Sequence, residues 1–311
     1  TNSQKIRGKV MTKNNRLFTK SLFKSGLICP TKLFYSNKHQ YSNSSLQDSF
    51  LEALAQGGYQ VGELAKEYYP GGHDIKTLEH ETALEETNKL LEQDQVTIFE
   101  AAVKHGNKFA RIDILVKDGN AIELIEVKAK SYSPTTTAFM TKNKKGLMSG
   151  WSAYLHDVAF QQYVATQSYP DYTFRPRLLL VNKDIECGTD GLNSKFEITK
   201  SGKSRKDIRV ASNITAADLS PQLLTPVVID EALAFIFDEE FFESRTFVEH
   251  VEYLASNYEA DTFIKGRIGK ICKACEFNCS NEEALTGQRS GFKECWKRDL
   301  NWSDQDFTAP L

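Results

Sequence analysis

The hydrophobic pattern of the chain is strongest in two short runs near its middle. The runs are 111–116, with the sequence RIDILV, and 122–128, with the sequence IELIEVK. Asp118-Gly119-Asn120 lies between them and supplies the positive φ that tight turns require, so the pattern predicts a β-hairpin. Side chains alternate faces along a strand, which puts Glu126 and Lys128 on one face. Counting back from the turn, we expect Asp113 about two residues out of register with Glu126, within the ~7–8 Å diagonal reach of neighbouring strands.

Periodic apolar positions predict helices before and after this hairpin. Helices are predicted over 17–35 with a Cys-Pro turn inside, over 48–69 with a break at Gly57-Gly58, and over 77–93, 151–167 and 230–256. Further strands are predicted over 96–103, 176–182, 196–199 and 208–211, and 176–182 should join the hairpin in one sheet. The polar segment 131–149 is expected to be a mobile loop. This order of elements predicts one α/β domain with a helical elaboration.

The predicted hairpin carries charged residues that a buried sheet does not need. Asp113 and Glu126 offer the oxygen ligands that magnesium and manganese prefer, and the carbonyl of Val127 is a further donor. Lys128 would orient a water molecule or neutralise negative charge that develops on a phosphate. A surface ion pair across a strand edge is the alternative, and the spacing alone does not decide between the two. The apolar neighbours favour the metal centre.

Two polar residues on neighbouring elements are candidates to complete this centre. Glu100 lies on the strand before the hairpin and is either a third acidic ligand or a solvent-facing strand residue. Gln161 lies on the following helix, one turn after Asp157, and shares its face. Its amide would contact substrate phosphate or a water molecule near the metal, unless it is an ordinary exposed glutamine.

The cysteines form the second constellation. Cys272-Lys273-Ala274-Cys275 is followed by Cys279 and Cys295, a spacing typical of a thiolate metal site. Thiolates without nearby histidine suit an iron–sulfur cluster or zinc. A redox Cys-x-x-Cys pair and unrelated buried cysteines remain the alternatives. Cys187 is isolated, and we expect it to be inert.

Charge is distributed unevenly in this chain of 311 residues, although its net charge is only -2. No acidic residue occurs before Asp48, whereas the same segment carries the basic residues Lys5, Arg7, Lys9, Lys13, Arg16, Lys20, Lys24, Lys32 and Lys38. Such a run is typical either of a solvated tail or of contact with a polyanion. We expect the basic segments 13–38, 142–145 and 200–209 to follow a nucleic-acid backbone, with contacts from Lys142, Lys144, Lys145, Lys203, Arg205 and Lys206.

The sequence also bears on location. It has no apolar run near the ~20 residues that a membrane-spanning helix needs. Its first residues lack a signal-peptide core, so we expect a cytoplasmic protein. In that reducing compartment, cysteines serve as metal ligands more often than as disulfides.

The combination of Asp113, Glu126-Val127-Lys128 and Gln161 on the next helix resembles the PD-(D/E)xK nucleases in their RecB-like branch. A lone Cys29-Pro30 near one end and clustered cysteines near the other are similar to the iron–sulfur members of that branch. These members include CRISPR-associated exonucleases and helicase–nuclease subunits. The phrases 17–21, LFTKS, and 290–296, SGFKECW, also resemble a bacterial family that begins with this module and continues into a second domain.

The resemblance implies a restriction-endonuclease-like fold, a mixed sheet flanked by helices, with a helical and cysteine-clustered C-terminal elaboration. It implies hydrolysis of phosphodiester bonds with Mg²⁺ or Mn²⁺ as the cofactor, and DNA is the expected substrate. The implied catalytic residues are Asp113, Glu126, Lys128 and Gln161, and the implied metal ligands are Asp113, Glu126, Val127 and Glu100. A 4Fe-4S cluster, with zinc as the alternative, would be held by Cys29, Cys272, Cys275 and Cys295, with Cys279 as the rival of Cys295. The expected partners are nucleic acid and a second domain or helicase outside this chain.

The expected organisation is a basic, flexible N-terminus over 1–16 and a single nuclease domain over 17–311. Within that domain we expect N-terminal helices with Cys29 over 17–95, the catalytic core over 96–185, an elaboration over 186–265 and the cysteine cluster over 266–296.

Two departures from the family pattern affect the metal site. Related nucleases often carry Gly-x-x-x-His, with the histidine as a ligand, but Lys66 follows Gly62 at that spacing. The family helix usually reads Gln-x-x-x-Tyr, whereas position 165 is Ala and the nearest aromatic residue is Tyr163. A non-catalytic nucleic-acid-binding module with a structural cysteine metal site is the rival function. A zinc-stapled adaptor that binds protein is the third.

Overall fold

The computed structural model describes residues 16–46, 49–199, 208–238 and 244–308. The strands are β1 (Phe18–Thr19), β2 (His73–Asp74), β3 (Gln95–His105), β4 (Lys108–Asp118), β5 (Ala121–Tyr132), β6 (Thr173–Asn182), β7 (Phe196–Ile198), β8 (Ile208–Val210) and β9 (Leu224–Val228). The helices are α1 (Lys20–Ile28), α2 (Thr31–Tyr35), α3 (Ser49–Glu67), α4 (His80–Leu91), α5 (Ser149–Ser168), α6 (Asp230–Asp238), α7 (Phe247–Glu259), α8 (Asn281–Leu285) and α9 (Gly291–Leu300). Within the described ranges, no helix is both long enough and apolar enough to cross a membrane.

One mixed sheet forms the centre of the described fold. Its strand order is β2-β3-β4-β5-β6-β9, and β1 pairs with β4 outside that path. β3, β4 and β5 form an antiparallel meander, and α5 then connects β5 to the parallel strand β6. β9 closes the other side antiparallel to β6, and β7 pairs with β8 in a small separate sheet. The prediction of an α/β fold with a mixed sheet flanked by helices is confirmed.

Helices cover both faces of the sheet. On one face α5 packs with α1 and α7, where the ring of Phe160 stacks on Phe23 at 4.9 Å. On the other face α3 covers a smaller cluster that includes Phe99, Ile114 and Ile125. Central strands buried on both faces are expected to be apolar throughout. Charged residues within β4 and β5 are therefore costly to the fold.

Most of the predicted elements are present, but the predicted helix break at Gly57-Gly58 is wrong. α3 continues through both glycines. A glycine costs a helix roughly 1 kcal/mol relative to alanine, but the segments 51–56, LEALAQ, and 63–67, ELAKE, consist of residues that favour helix. Packing of Leu64 and Ala65 against the sheet adds to that preference. The low helix propensity of the two glycines is thus outweighed by the helix-favouring residues around them and by tertiary contacts.

Three strands were not predicted, for identifiable reasons. β1 and β2 contain only two residues each, too few to produce a periodic pattern. β9 contains Pro226, and proline in a run argues against a central strand. Its position at the end of the strand order explains why the proline is tolerated there.

The predicted flexible N-terminus, 1–16, lies outside the described residues except for its last position. Arg16 is held in place by an ion pair, with its Nη1 2.6 Å from Oδ1 of Asp261. Its guanidinium also lies 4.1 Å from the ring centroid of Tyr258. The described chain therefore begins against α7 and the turn that follows it.

Candidate active site

Asp113 and Glu126 lie across from each other on neighbouring strands. The β4–β5 ladder ends with Ile114 opposite Ile125, and one further step in the same register brings Asp113 opposite Glu126. The predicted offset of two residues is therefore wrong. The strands extend further toward the turn than expected and leave only Gly119-Asn120 in the loop. Asp113 is also fixed across the strands, because its Oδ2 accepts a hydrogen bond from the backbone N–H of Val127 at 2.8 Å.

Glu126 is fully buried and enclosed by hydrogen-bond donors. Gln161 Nε2 donates to Glu126 Oε2 at 2.7 Å, and Lys128 Nζ donates to Oε1. Lys20 Nζ bridges the carboxylate, 2.9 Å from Oε1 and 3.0 Å from Oε2. Each oxygen thus accepts from two donors, which fills the approximately four lone-pair sites of a carboxylate.

The predicted helix after the hairpin brings Gln161 to this centre. α5 packs against β3, β4 and β6 on the face that holds Glu126, and the side chain of Gln161 is fully buried there. The alternative of an ordinary exposed glutamine is therefore wrong. Because its Nε2 is bonded to Glu126, Gln161 fixes the position of that carboxylate.

Lys20 belongs to this centre and was not predicted as a site residue. β1 pairs with the start of β4, with Phe18 opposite Lys108, and α1 begins directly after β1. The ammonium of Lys20 thereby reaches a carboxylate 106 positions away in the sequence. No spacing rule connects residues so far apart. The one sequence signal is that Lys20 lies within the LFTKS phrase that carries part of the family resemblance.

The charges at this centre stabilise one another. Burial by itself would raise the pKa of Glu126, but Lys20 and Lys128 outweigh it through their charges and hydrogen bonds and hold that pKa well below its usual range. Burial would lower the pKa of Lys128, and the charges of Glu126 and Asp113 raise it instead. The same opposition of burial and carboxylates raises the pKa of Lys20. Glu126 and both lysines are therefore charged at neutral pH.

Asp157 is a second buried carboxylate, one helical turn before Gln161. Its side chain has no exposure, and within the described ranges neither of its oxygens accepts a hydrogen bond. Lys24 makes an ion pair with it, with Nζ 3.1 Å from Oδ2. Burial and the charge of Glu126 raise the pKa of Asp157, against the opposing charges of Lys24 and Lys20. α1 thus presents two lysines, one turn apart, to two buried carboxylates.

Glu100, the predicted third ligand, occupies an unusual backbone conformation. The β3–β4 ladder pairs Phe99 with Ile114 and Ala101 with Ile112, and Glu100 falls opposite Asp113 at the interruption between these pairs. Its φ of +58° is in the left-handed region, which a non-glycine residue rarely adopts within a strand. Such conformations cluster at functional sites, where the surrounding structure maintains them.

The described residues contain no group of three or more His, Cys, Asp or Glu side chains arranged to hold a metal ion. Neither the carboxylates of Glu100, Asp113 and Glu126 nor the described cysteines therefore form such a group as they stand. The donors at this centre are carboxylate oxygens, which suit magnesium or manganese in kind. Those of Glu126 are engaged by protein donors.

The four cysteines assigned to the cluster line one small cavity. Cys29 follows α1, Cys272 and Cys275 lie on the turn after Gly269, and Cys295 lies on α9. The cavity measures about 30 Å³, which is room enough for a water molecule. The hydroxyl of Tyr35 lies 3.4 Å from Cys295 Sγ. Folding thus gathers thiols from both ends of the described chain.

Cys279, the rival fourth ligand, does not line this cavity. It is buried, and its Sγ donates to the carbonyl oxygens of Ser280 at 3.3 Å and Gln288 at 3.5 Å.

Burial raises the pKa of Cys275 to about 11 and also raises that of Cys295. Without a metal, both thiols are therefore protonated at neutral pH.

Close packing around Cys29 provides a test of the cysteine cavity. A Cβ at Gly266 would lie 2.6 Å from Cys29 Sγ and 2.8 Å from Thr31 Oγ1. We expect Gly266→Ala to displace Cys29 and to lower the free energy of unfolding by about 1–3 kcal/mol. Chemical denaturation measures this, and Gly269→Ala is the matched control because a Cβ there meets nothing within 4 Å. Equal stability of the two variants would contradict tight packing at Cys29.

The predicted nucleic-acid contacts are placed only in part. Lys142, Lys144 and Lys145 are exposed on the loop between β5 and α5. Lys144 is paired across the surface, with its Nζ 2.6 Å from Glu231 Oε1. The second predicted group, Lys203, Arg205 and Lys206, lies outside the described residues.

Lys66 and Tyr163, the residues at which the sequence departs from the family pattern, contact other parts of the structure. Lys66 forms ion pairs with Glu63 at 2.7 Å and Asp74 at 3.1 Å, near the ring of Phe99. The hydroxyl of Tyr163 donates to Glu252 Oε1 at 2.5 Å, so this side chain is directed toward α7. Neither residue hydrogen-bonds Glu126.

No protein-family model matches this sequence, and no curated protein matches it significantly. The function must therefore be inferred from the residues themselves. The centre around Glu126 and the cysteine cavity are the two features with specific chemistry.

Proposed function

We propose that this protein is a metal-dependent nuclease that hydrolyses phosphodiester bonds, with DNA as the expected substrate. It would belong to the RecB-like, restriction-endonuclease-like proteins that its motifs resemble. The observation that carries the proposal is the convergence of Lys128 and Gln161 on the buried carboxylate of Glu126, with Asp113 directly across on β4. The alternative to a metal centre, a surface ion pair, does not fit a glutamate whose side chain is fully buried.

The proposed metal ligands are Asp113 and Glu126, with the carbonyl of Val127 and the side chain of Glu100 as the remaining candidates. A bound Mg²⁺ or Mn²⁺ ion would polarise the phosphate and lower the pKa of a water molecule. The donor set suits these ions in kind. At least one of the donors that now surround Glu126 has to give way for this carboxylate to act as a ligand.

The chain's own residues divide the remaining work. The ammonium of Lys128 lies on the strand face of both carboxylates, where it would orient the attacking water and offset the negative charge that develops on the phosphate. Gln161 holds the Glu126 carboxylate in one orientation through its 2.7 Å hydrogen bond. The exposed lysines Lys142, Lys144 and Lys145 would contact the phosphate backbone of the substrate.

We propose a structural role for the cysteine cavity. Cys29, Cys272, Cys275 and Cys295 would hold a 4Fe-4S cluster, or zinc as the alternative, and so fasten the first helices to α9. Four thiols on one cavity suit either group chemically. The small cavity volume means that the side chains would have to open outward around a cluster.

A nuclease assay tests the proposal directly. We expect the wild-type protein to cut single- or double-stranded DNA in Mg²⁺ or Mn²⁺, and to stop cutting in EDTA. Asp113→Ala should lower the rate by more than about 100-fold, because even residues that only support metal ligands contribute about 10–100-fold. Asp118→Ala is the matched control, since Asp118 lies at the exposed end of the same strand. Folded, metal-loaded wild-type protein that cuts neither DNA nor RNA would exclude the nuclease function.

One observation favours a second candidate, a non-catalytic nucleic-acid-binding module. Both oxygens of Glu126 are already saturated by protein donors, as in a purely structural ion network. Such a module would bind DNA with a strong dependence on salt, would not cut it, and would bind equally well after Asp113→Ala.

A further inference from the structure

The ammonium group of Lys20 binds the carboxylate of Glu126 in the way that a metal ion would. Its single ammonium bridges both carboxylate oxygens almost symmetrically, at 2.9 and 3.0 Å. Within the described ranges, the Lys20 ammonium hydrogen-bonds Glu126 alone. A cation in the first turn of a helix is disfavoured by the helix dipole. The contact with Glu126, rather than the helix, therefore explains this position of Lys20.

Access to Glu126 depends on the two lysines. The glutamate side chain has no exposure of its own, whereas those of Lys20 and Lys128 are 19% and 22% exposed. An ion from solvent can therefore reach the carboxylate only where a lysine moves aside. Lys128 lies on the same strand as Glu126, two residues away. Lys20 lies on a different element, at the end of a flexible side chain, and can withdraw while Lys128 keeps its place beside both carboxylates.

A buried acceptor lies near the position that Lys20 would vacate. Neither carboxylate oxygen of Asp157 accepts a hydrogen bond within the described ranges, although the side chain is fully buried. Lys24, one turn after Lys20 on α1, is already drawn to it at 3.1 Å. Lys20 is close enough for its charge to act on Asp157. Asp157 therefore offers a site where the displaced ammonium would stay paired.

We propose that Lys20 is the internal cation that a divalent metal ion replaces at Glu126, and that Asp157 receives Lys20 when it leaves. Without metal, Lys20 compensates the buried charge of Glu126 and keeps the centre folded. With metal, α1 retains its contact with the centre through Asp157. Lys20 is thus a positioning residue that sets how tightly the metal binds. This inference rests on the proposed metal centre at Asp113 and Glu126.

The test is the affinity for Mn²⁺, measured on the full chain by calorimetry or by the loss of the free-ion signal in electron paramagnetic resonance. We expect Lys20→Gln to bind Mn²⁺ at least about tenfold more tightly than wild type, because the competing charge is gone. Lys130→Gln is the control, since Lys130 lies on β5 but contacts the rings of Trp151 and Tyr154 instead. It should change the affinity by less than about threefold.

Asp157→Asn tests the receiving site. In the wild-type background, we expect Asp157→Asn to weaken Mn²⁺ binding about threefold or more. In the Lys20→Gln background, the same substitution should change the logarithm of the affinity by less than half as much. Such a double-mutant cycle isolates the coupling between the two residues. Equal effects of Asp157→Asn in both backgrounds would exclude Asp157 as the receiver.

The other outcomes are equally decisive. Wild-type binding with unchanged or weaker binding by Lys20→Gln would overturn the exchange while leaving the metal centre intact. Absence of Mn²⁺ binding in wild type and every variant would instead overturn the proposed nuclease centre itself. If circular dichroism shows that Lys20→Gln is unfolded, Lys20→Met provides the same loss of charge with an apolar side chain of similar length.

Discussion

Glu126→Gln is expected to abolish the proposed nuclease activity and to lower the free energy of unfolding by about 3–5 kcal/mol. The carboxylate is fully buried and is the common partner of Lys20, Lys128 and Gln161. A neutral amide would leave two ammonium groups, each mostly buried, without their main counter-charge. Removing one member of a buried ion network costs far more than removing a surface pair. The same substitution removes a proposed metal ligand, so stability and activity should fall together.

Chemical denaturation and the nuclease assay measure the two effects separately. Glu123→Gln is the matched control, because Glu123 lies on β5 but is only partly buried. We expect it to change the free energy of unfolding by less than about 0.5 kcal/mol and to leave cleavage intact. A Glu126→Gln protein as stable as wild type would contradict the ion network. Retained cleavage by that variant would contradict the role of Glu126 as a ligand.

The contribution of Glu126 to stability should depend on pH in a defined direction. Its pKa in the folded protein lies below the value of about 4.3 expected for an unfolded glutamate. The stabilisation is therefore fully present above that unfolded value and is lost as the pH falls through the lower folded pKa. The difference in unfolding free energy between wild type and Glu126→Gln should stay constant from about pH 6 to pH 8 and shrink below about pH 4.

Elements with a strong local pattern could be predicted from the sequence. The hairpin of β4 and β5 has apolar runs on both sides of a turn that contains Gly119, whose φ is +56°. α5 was predicted in the right place although its apolar residues are not confined to one side, and it buries Asp157 and Gln161 as their i, i+4 spacing predicted. The exact register of the hairpin was missed because the apolar pattern marks where strands exist, not where they end.

Residues joined only by tertiary structure could not be predicted in the same way. Lys20 reaches Glu126 because β1 adds to β4 in parallel, and a strand of two residues has no detectable sequence pattern. The left-handed backbone of Glu100 is likewise a property of the β3–β4 ladder. Cys29 and Cys295 were assigned to one site from the family resemblance, and their common cavity depends on the packing of α2, α9 and the segment around Gly266.

The cysteine cavity carries the second large prediction. Cys29→Ser and Cys295→Ser are each expected to eliminate the proposed cluster, because a serine hydroxyl is a poor ligand for iron compared with a thiolate. The cavity joins the segment after α1 to α9, so a bound cluster would close a loop of most of the chain. Losing such a closure should cost about 3–4 kcal/mol and lower Tm by roughly 10 °C.

Anaerobically purified protein provides the measurement, with iron, sulfide and zinc analysis beside visible absorbance and thermal unfolding. Wild type should be brown and contain about four iron atoms per chain, and Cys279→Ser should match it because Cys279 lies away from the cavity. Loss of iron in Cys279→Ser but not in Cys295→Ser would reverse the assignment of the fourth ligand. Colourless wild-type protein with one zinc ion per chain would show that the cysteines bind zinc instead of an iron–sulfur cluster. Cys29 directly follows the helix that begins with Lys20, so a loosened Cys29 should also weaken the contact of Lys20 with Glu126. Because Lys20 competes with the metal ion there, tighter Mn²⁺ binding by Cys29→Ser than by Cys279→Ser would reveal that connection.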